Sequence, residues 1–124
     1  MTGGVGRWRY MAPEVLRHQQ YNEKVDIFAF ALIMYFISSG QQPFSQWGDP
    51  EIILKEYLKG EEPRPNLSDC HVKVQGIIQA AWHVNWVQRP SAQDILGELM
   101  ELERLELEAL EASSNLPRCM CPQM

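Results

Sequence analysis

Cysteine is scarce in this chain, with three in 124 residues. An odd, sparse count cannot supply the disulfide framework of a small secreted domain and suits a reducing, cytoplasmic setting. Cys70 stands alone. Cys119 and Cys121 share the tail, with no second cysteine pair and no histidine near them in sequence to complete a metal site. Long apolar runs are missing as well. The longest, residues 27–37, holds eleven residues, well short of the roughly 20 that span a bilayer. Residues 1–7 have no apolar stretch of the kind a secretory signal needs. Positive charge is in deficit, with 11 Lys and Arg against 16 Asp and Glu and a net charge of −5, which argues against nucleic acid as a partner. No alternating strand pattern and no internal repeat occurs, so the chain reads as all-helical.

What is present is a succession of helix signals. Pro13 suits the first position of a short helix, with Glu14 at its positive end and a fade near His18. A second helix is predicted over residues 23–39, stopped by Gly40 and by Pro43. Its inner stretch is apolar on every side, which predicts a central helix buried all round. A third begins with Asp49 as cap and Pro50 at its first position, runs through residues 51–58 and stops at Gly60. Residues 61–69, with Pro63 and Pro65, read as loop. A fourth covers residues 72–84. Ser91 then caps a fifth, which runs to about residue 111 with leucines among glutamates. Residues 112–124 read as a disordered tail. Trp82 and Trp86 read as packing aromatics, and His18, His71 and His83 as surface histidines. The leucine-rich stretch at residues 96–111 leaves helical self-association open, although its leucine spacing is mostly three and the apolar stripe drifts around the axis.

The string Gly6-Arg7-Trp8-Arg9-Tyr10-Met11-Ala12-Pro13-Glu14 resembles the end of a protein kinase activation segment, whose Ala-Pro-Glu is a family signature. Three further landmarks follow in the family's order. Gly40-Gln41-Gln42-Pro43-Phe44 is similar to the Gly-x-x-Pro-Phe after the central helix. Lys59 through Pro65 is similar to the family's Gly-x-Arg-Pro segment. Asn85 through Ser91 resembles the turn before the last helix. The resemblance covers about residues 1–103 and is closest in style to the tyrosine-kinase-like group of serine/threonine kinases. It implies that residues 1–111 are part of the helical C-lobe of a two-lobed α+β protein kinase fold.

The resemblance also implies roles. Gly6, Arg7, Trp8, Arg9 and Tyr10 would shape the pocket beside the phosphoacceptor. Glu14 and Arg89 would form a structural ion pair tying this loop to the turn before the last helix. Asp26 would anchor the central helix to the catalytic loop. Arg7 stands where the group carries a serine or threonine, and Val5 where a phosphorylatable residue often lies. These departures keep a second reading in view, a non-catalytic, pseudokinase-like or helical protein-binding module.

Phosphoryl transfer also needs a glycine-rich loop, a strand lysine paired to a helix glutamate, catalytic-loop Asp and Asn, and the Asp of Asp-Phe-Gly. None of these motifs occurs in the 124 residues. All of them lie upstream in the family's order, and Met1-Thr2-Gly3 resembles the Met-Thr-Gly ahead of this loop in related kinases, which leaves open whether Met1 is a true start or an internal methionine. The chain by itself is expected to hold no catalytic, cofactor or metal residue and to be inactive. Its parent would use Mg-ATP to phosphorylate protein hydroxyls. Without upstream partners, part of Phe28, Phe30, Leu32, Met34 and Phe36 would be bare.

Overall fold

The computed structural model describes residues 8–49 and 51–114. Among them five α-helices carry the fold: α1 (Pro13–Leu16), α2 (Lys24–Ser39), α3 (Glu51–Leu58), α4 (Val72–Ala81) and α5 (Ala92–Ser114). Short 3-10 turns lie at Trp8–Tyr10, Ser45–Trp47, Leu67–Asp69 and Trp86–Gln88. No strand occurs among the described residues, and their architecture is all-α.

The helix ends follow from local chemistry. Asn22 Oδ1 accepts from the Lys24 amide at 3.0 Å and starts α2. Gly40 ends it with φ 77°, in the left-handed region that costs glycine little, and its N–H donates to Phe36 O at 2.9 Å. Asp49 Oδ1 accepts from the Glu51 amide at 2.9 Å ahead of α3. Ser91 and Asp94 cap α5 reciprocally. Ser91 Oγ accepts from the Asp94 amide at 3.0 Å, and Asp94 accepts from the Ser91 amide at 3.1 Å. Hydrogen bonding from the Ser91 amide, and then from the Ser91 side chain, holds the Asp94 carboxyl below its ordinary value.

Two boundaries differ from the sequence reading. Helix α4 ends at Ala81, short of the expected Val84. The Trp82 amide closes the last turn on Ile78 O, and Asn85 opens a separate 3-10 turn by accepting from the Val87 amide at 3.1 Å. Helix α5 continues to Ser114, past the boundary expected at 111. Residues 112–114 are therefore helical, and 115–124, with Cys119 and Cys121, lie outside the described residues.

Helix α2 is the axis of the main core. Phe28, Ala31, Leu32, Met34 and Tyr35 pack with Ile77, Ile78, Ala81 and Trp82 of the α4 region and with Ile95 of α5. Each large apolar side chain so buried contributes about 1.5–3 kcal/mol. A smaller cluster of Leu16, Phe44, Ile53 and Tyr57 joins α1 to α3 and carries Trp8 and Met11 on its edge.

Within this chain α2 is covered on one side only, in line with the partial baring expected of it. Ile33, Phe36 and Ile37 are exposed, Ile37 at 77%. The described elements gather on one side of α2, and its other face has no helix against it. Of the positions expected to be partly bare, Phe36 is exposed and Phe30 half-buried. Phe28, Leu32 and Met34 are buried within this chain, and the open ones are Ile33, Phe36 and Ile37.

Candidate functional site

Trp8–Tyr10 leads into α1 and is held from three sides. The Met11 amide donates to Trp8 O at 3.4 Å. Arg9 Nη1 donates to Pro43 O at 2.9 Å, fastening the turn to the segment after α2. Trp8 and Met11 pack on the Leu16–Phe44–Ile53–Tyr57 cluster, and Tyr10 packs against the main core. Partial burial raises the Tyr10 hydroxyl above its ordinary value, opposed by Arg9. Beside this turn lies an open, mostly apolar cleft of about 550 Å³, lined by Trp8, Met11, Val15, Leu16, Tyr21 and Leu54 among others. Of the five residues expected to form the pocket loop, Trp8 lines this cleft, and Arg9 and Tyr10 follow it in the same 3-10 turn. Gly6 and Arg7 lie outside the described residues, as do Thr2 and Val5.

Glu14 and Arg89, 75 positions apart, meet in a bidentate pair. Arg89 Nη1 donates to one carboxylate oxygen of Glu14 at 2.7 Å and Nη2 to the other at 2.8 Å. They are the buried charged residues of the core, at 5% and 2% exposure. A buried ion pair is stable only when its remaining donors and acceptors are satisfied. Here Arg89 Nε donates to His83 O at 2.8 Å and Nη1 also donates to Lys24 O at 3.0 Å. Lys24 Nζ returns a bond to Arg89 O at 2.5 Å. The pair thus joins α1, the start of α2 and the turn before α5 at one point. Among the described residues no buried side-chain nitrogen or oxygen lacks a partner.

Sequence reasoning missed a second guanidinium beside it. Arg64 Nε and Nη2 both donate to Trp82 O, at 3.1 and 2.9 Å. Its Nη1 donates to Pro63 O at 2.8 Å and to Tyr57 Oη at 3.1 Å. Arg64 and Arg89 lie over the same ring, Phe28, at 5.0 and 5.1 Å from its centroid, where the ring's negative face attracts a cation. Burial lowers the Arg64 pKa, with Tyr57 and Glu62 opposing. Burial pushes the Tyr57 hydroxyl up to about 12. Arg17 closes the group from the α1 side, donating from Nε to Tyr57 O at 2.8 Å and pairing with Glu62 at 2.6 Å. The signal that could have found Arg64 was the similarity of Arg64-Pro65 to the family's Gly-x-Arg-Pro segment.

Asp26 lies in the first turn of α2, exposed, and makes no side-chain hydrogen bond among the described residues. It stands between two apolar grooves. One, of about 350 Å³, is lined by Ile27, Phe30, Ile95, Leu96 and Leu99. The other, of about 380 Å³, is lined by Tyr10, Met11, Val15, Val25 and Ala29. The structure brings Glu14 and Arg89 together and leaves Asp26 apart from them. Trp82 is buried in the core, whereas Trp86 is 39% exposed. All three histidines are exposed. Two of them serve the backbone, with His71 Nδ1 accepting from the Lys73 amide at 3.2 Å and His83 Nδ1 from the Asn85 amide at 3.0 Å. Among the described residues no group of three His, Cys, Asp or Glu could hold a metal ion, and no helix is long and apolar enough to cross a membrane.

The family of protein tyrosine and serine/threonine kinases matches residues 1–99. The chain belongs to that family. Among its kinase relatives, the Arabidopsis thaliana serine/threonine-protein kinase VIK is 38% identical over 103 residues, which is 83% of this chain and 23% of that protein. A probable serine/threonine-protein kinase of Dictyostelium discoideum, qkgA, is 33% identical over 82% of this chain and 7% of its own length. Mitogen-activated protein kinase kinase kinase 7 of Drosophila melanogaster is 35% identical over 82% of this chain and 15% of its own length. The chain therefore spans less than a quarter of each of these kinases, and they include members of the tyrosine-kinase-like group.

Proposed function

We propose that this chain is the substrate-side portion of a serine/threonine protein kinase whose complete domain transfers phosphate from ATP to protein hydroxyls. The observation that carries this reading is the Glu14–Arg89 pair. It fastens the segment Arg9-Tyr10-Met11-Ala12-Pro13-Glu14 to the far end of the helical core, so the wall of the cleft beside Trp8 and Met11 has a fixed shape. Positioning of this kind is most of what a protein kinase contributes to phosphoryl transfer. A protein substrate would lie against the Trp8–Tyr10 turn. Asp26, exposed at the start of α2, would bond the catalytic-loop backbone of the complete domain. The cysteine usage points to a cytoplasmic setting, and the acidic balance to no role for nucleic acid.

ATP and magnesium would supply the transferred phosphoryl group and its charge neutralisation. The residues described here do not fit that pair. Asp26 is a lone carboxylate, and no glycine-rich loop with a partnered lysine lies beside it. No step through Mg-ATP is therefore assigned to this chain's own side chains, and the 124 residues alone are expected to be inactive.

A chimera tests the reading. Residues 1–103 replace the matching segment of the Arabidopsis relative, and phosphate transfer from labelled ATP to casein is followed by phosphoamino-acid analysis. Label on serine and threonine, with none from the 124-residue chain alone, is the expected result. A chimera that folds and binds ATP but transfers nothing overturns it. Arg7 favours the second reading, a non-catalytic binding module. If the inert chimera regains transfer on Arg7→Thr, that second reading replaces the first.

A further inference from the structure

Helix α5 presents two apolar faces, and only one of them is used. Ile95, Leu99 and Leu102 turn into the main core, and Lys73 of α4 pairs with Glu106 one turn further on. The family match ends at residue 99, yet the helix continues to Ser114. On a second face Leu96, Met100, Glu103, Leu107 and Leu110 recur at alternating steps of four and three, the spacing of a coiled-coil seam. The leucines alone hide this order, because Met100 and Glu103 occupy two of the five places. The four apolar members are each more than half exposed.

Charge identifies what fits this seam. Arg104 is the only base in the helix, against six glutamates and Asp94, and Glu101 and Glu108 already engage it. Glu103 stands in the seam itself, and Glu106 and Glu111 flank it. A second copy in parallel register would set Glu103 against Glu103 and Glu106 against Glu111, two like-charged contacts that disfavour pairing. A basic helix answers both the apolar stripe and the acidic border. We propose that the exposed seam of α5 docks a basic amphipathic helix, with leucine-like residues against Leu96, Met100, Leu107 and Leu110 and a Lys or Arg opposite Glu103. The inference is independent of the kinase reading, since it rests on residues largely beyond the family match.

The test uses the 124-residue chain and two synthetic peptides of about four heptads with leucine at both seam positions, save one central seam place that faces Glu103 and carries the same charged residue as the flanks. One carries lysine at the flanking positions and the other glutamate. Titration calorimetry is expected to show binding to the lysine peptide and none to the glutamate peptide. Leu107→Glu with Leu110→Glu is expected to weaken that binding tenfold or more, as about two buried leucines would require. Both positions face solvent, so the helical circular dichroism should be kept. Glu103→Lys with Glu111→Lys is expected to reverse the preference, and this pair decides the matter should the leucine variant lose its helix. Equal binding of both peptides, binding of neither, or a dimer of the chain alone in sedimentation that Leu107→Glu abolishes would each overturn the proposal.

Discussion

The surroundings of Arg89 and the outer face of α2 are built from the same central helix and end in opposite states. On the inner side Phe28 is fully covered, two guanidiniums lie over its ring, and each guanidinium nitrogen of Arg89 has an acceptor within 3.0 Å. On the outer side Ile33, Phe36 and Ile37 meet no neighbouring helix, and Asp26 has no side-chain partner among the described residues. The chain thus contains bonds that hold the Trp8–Glu14 segment at Arg9 and Glu14, whereas the face carrying Asp26 is apolar, grooved and open. Polar satisfaction marks the finished side and exposed β-branched and aromatic residues the unfinished one.

The largest effect that would break this contrast is removal of Arg89. Arg89→Met leaves the Glu14 carboxylate buried without its guanidinium, and an unpaired buried charge costs about 3–5 kcal/mol. Urea unfolding followed by circular dichroism should show a loss of that size, and a loss no larger than a surface substitution gives would dissolve the distinction. Arg64→Met should rank second. It removes both bonds to Trp82 O and the bond to Tyr57 Oη, and loss of buried, charge-assisted bonds costs about 2–3 kcal/mol. Arg64→Lys should recover little of this, since one ammonium cannot span the same acceptors.

Tyr57→Phe is smaller at neutral pH, about 1 kcal/mol for the lost hydroxyl bonds, but it has a distinct pH signature. The Tyr57 pKa is raised from 10.0 to about 12 in the folded chain. The fold holds this proton more tightly than the unfolded chain does, so the stabilisation is fully present below pH 10 and is lost as pH rises through about 12. The wild-type curve should fall relative to the Tyr57→Phe curve across that window, by about 2–3 kcal/mol in all. Parallel curves would contradict the buried, protonated hydroxyl. The smallest stability change belongs to the open face. Phe36→Ser with Ile37→Ser should leave the urea midpoint nearly unchanged and raise the concentration at which the chain stays dispersed, read by light scattering. A large loss of stability there would mean that the outer face of α2 is packed after all.

The outline was legible in the sequence because helix ends are local. Pro13, Gly40, Asp49, Ser91 and Asp94 act within a turn of their own positions, and each element starts or stops where they stand. Uniform apolarity left one point open, which side of α2 would be covered. From residues 27–37 alone, a helix covered on all sides cannot be told from one covered on one side, because the pattern carries no direction. The α4 boundary was misread because residues 81–84 hold no glycine or proline, and only the Trp82 amide bond and the Asn85 cap separate the elements. At the candidate site, Glu14 and Arg89 were readable through the family resemblance. The bonds of Arg64, Arg17 and Arg9 were not, since they run to backbone carbonyls 18 to 40 positions away, and carbonyls leave no mark in a sequence.

The measurement closest to the central claim is a double-mutant cycle on Glu14 and Arg89. Urea unfolding free energies of the chain, of Glu14→Gln, of Arg89→Met and of the double variant give the coupling between the two side chains. A buried bidentate pair that holds the Trp8–Glu14 segment to the turn before α5 should return a coupling of about 2–3 kcal/mol, with the double variant more stable than the sum of the single losses allows. Losses that simply add, to within about 0.5 kcal/mol, would mean that the two residues act independently and that the segment is held by something else.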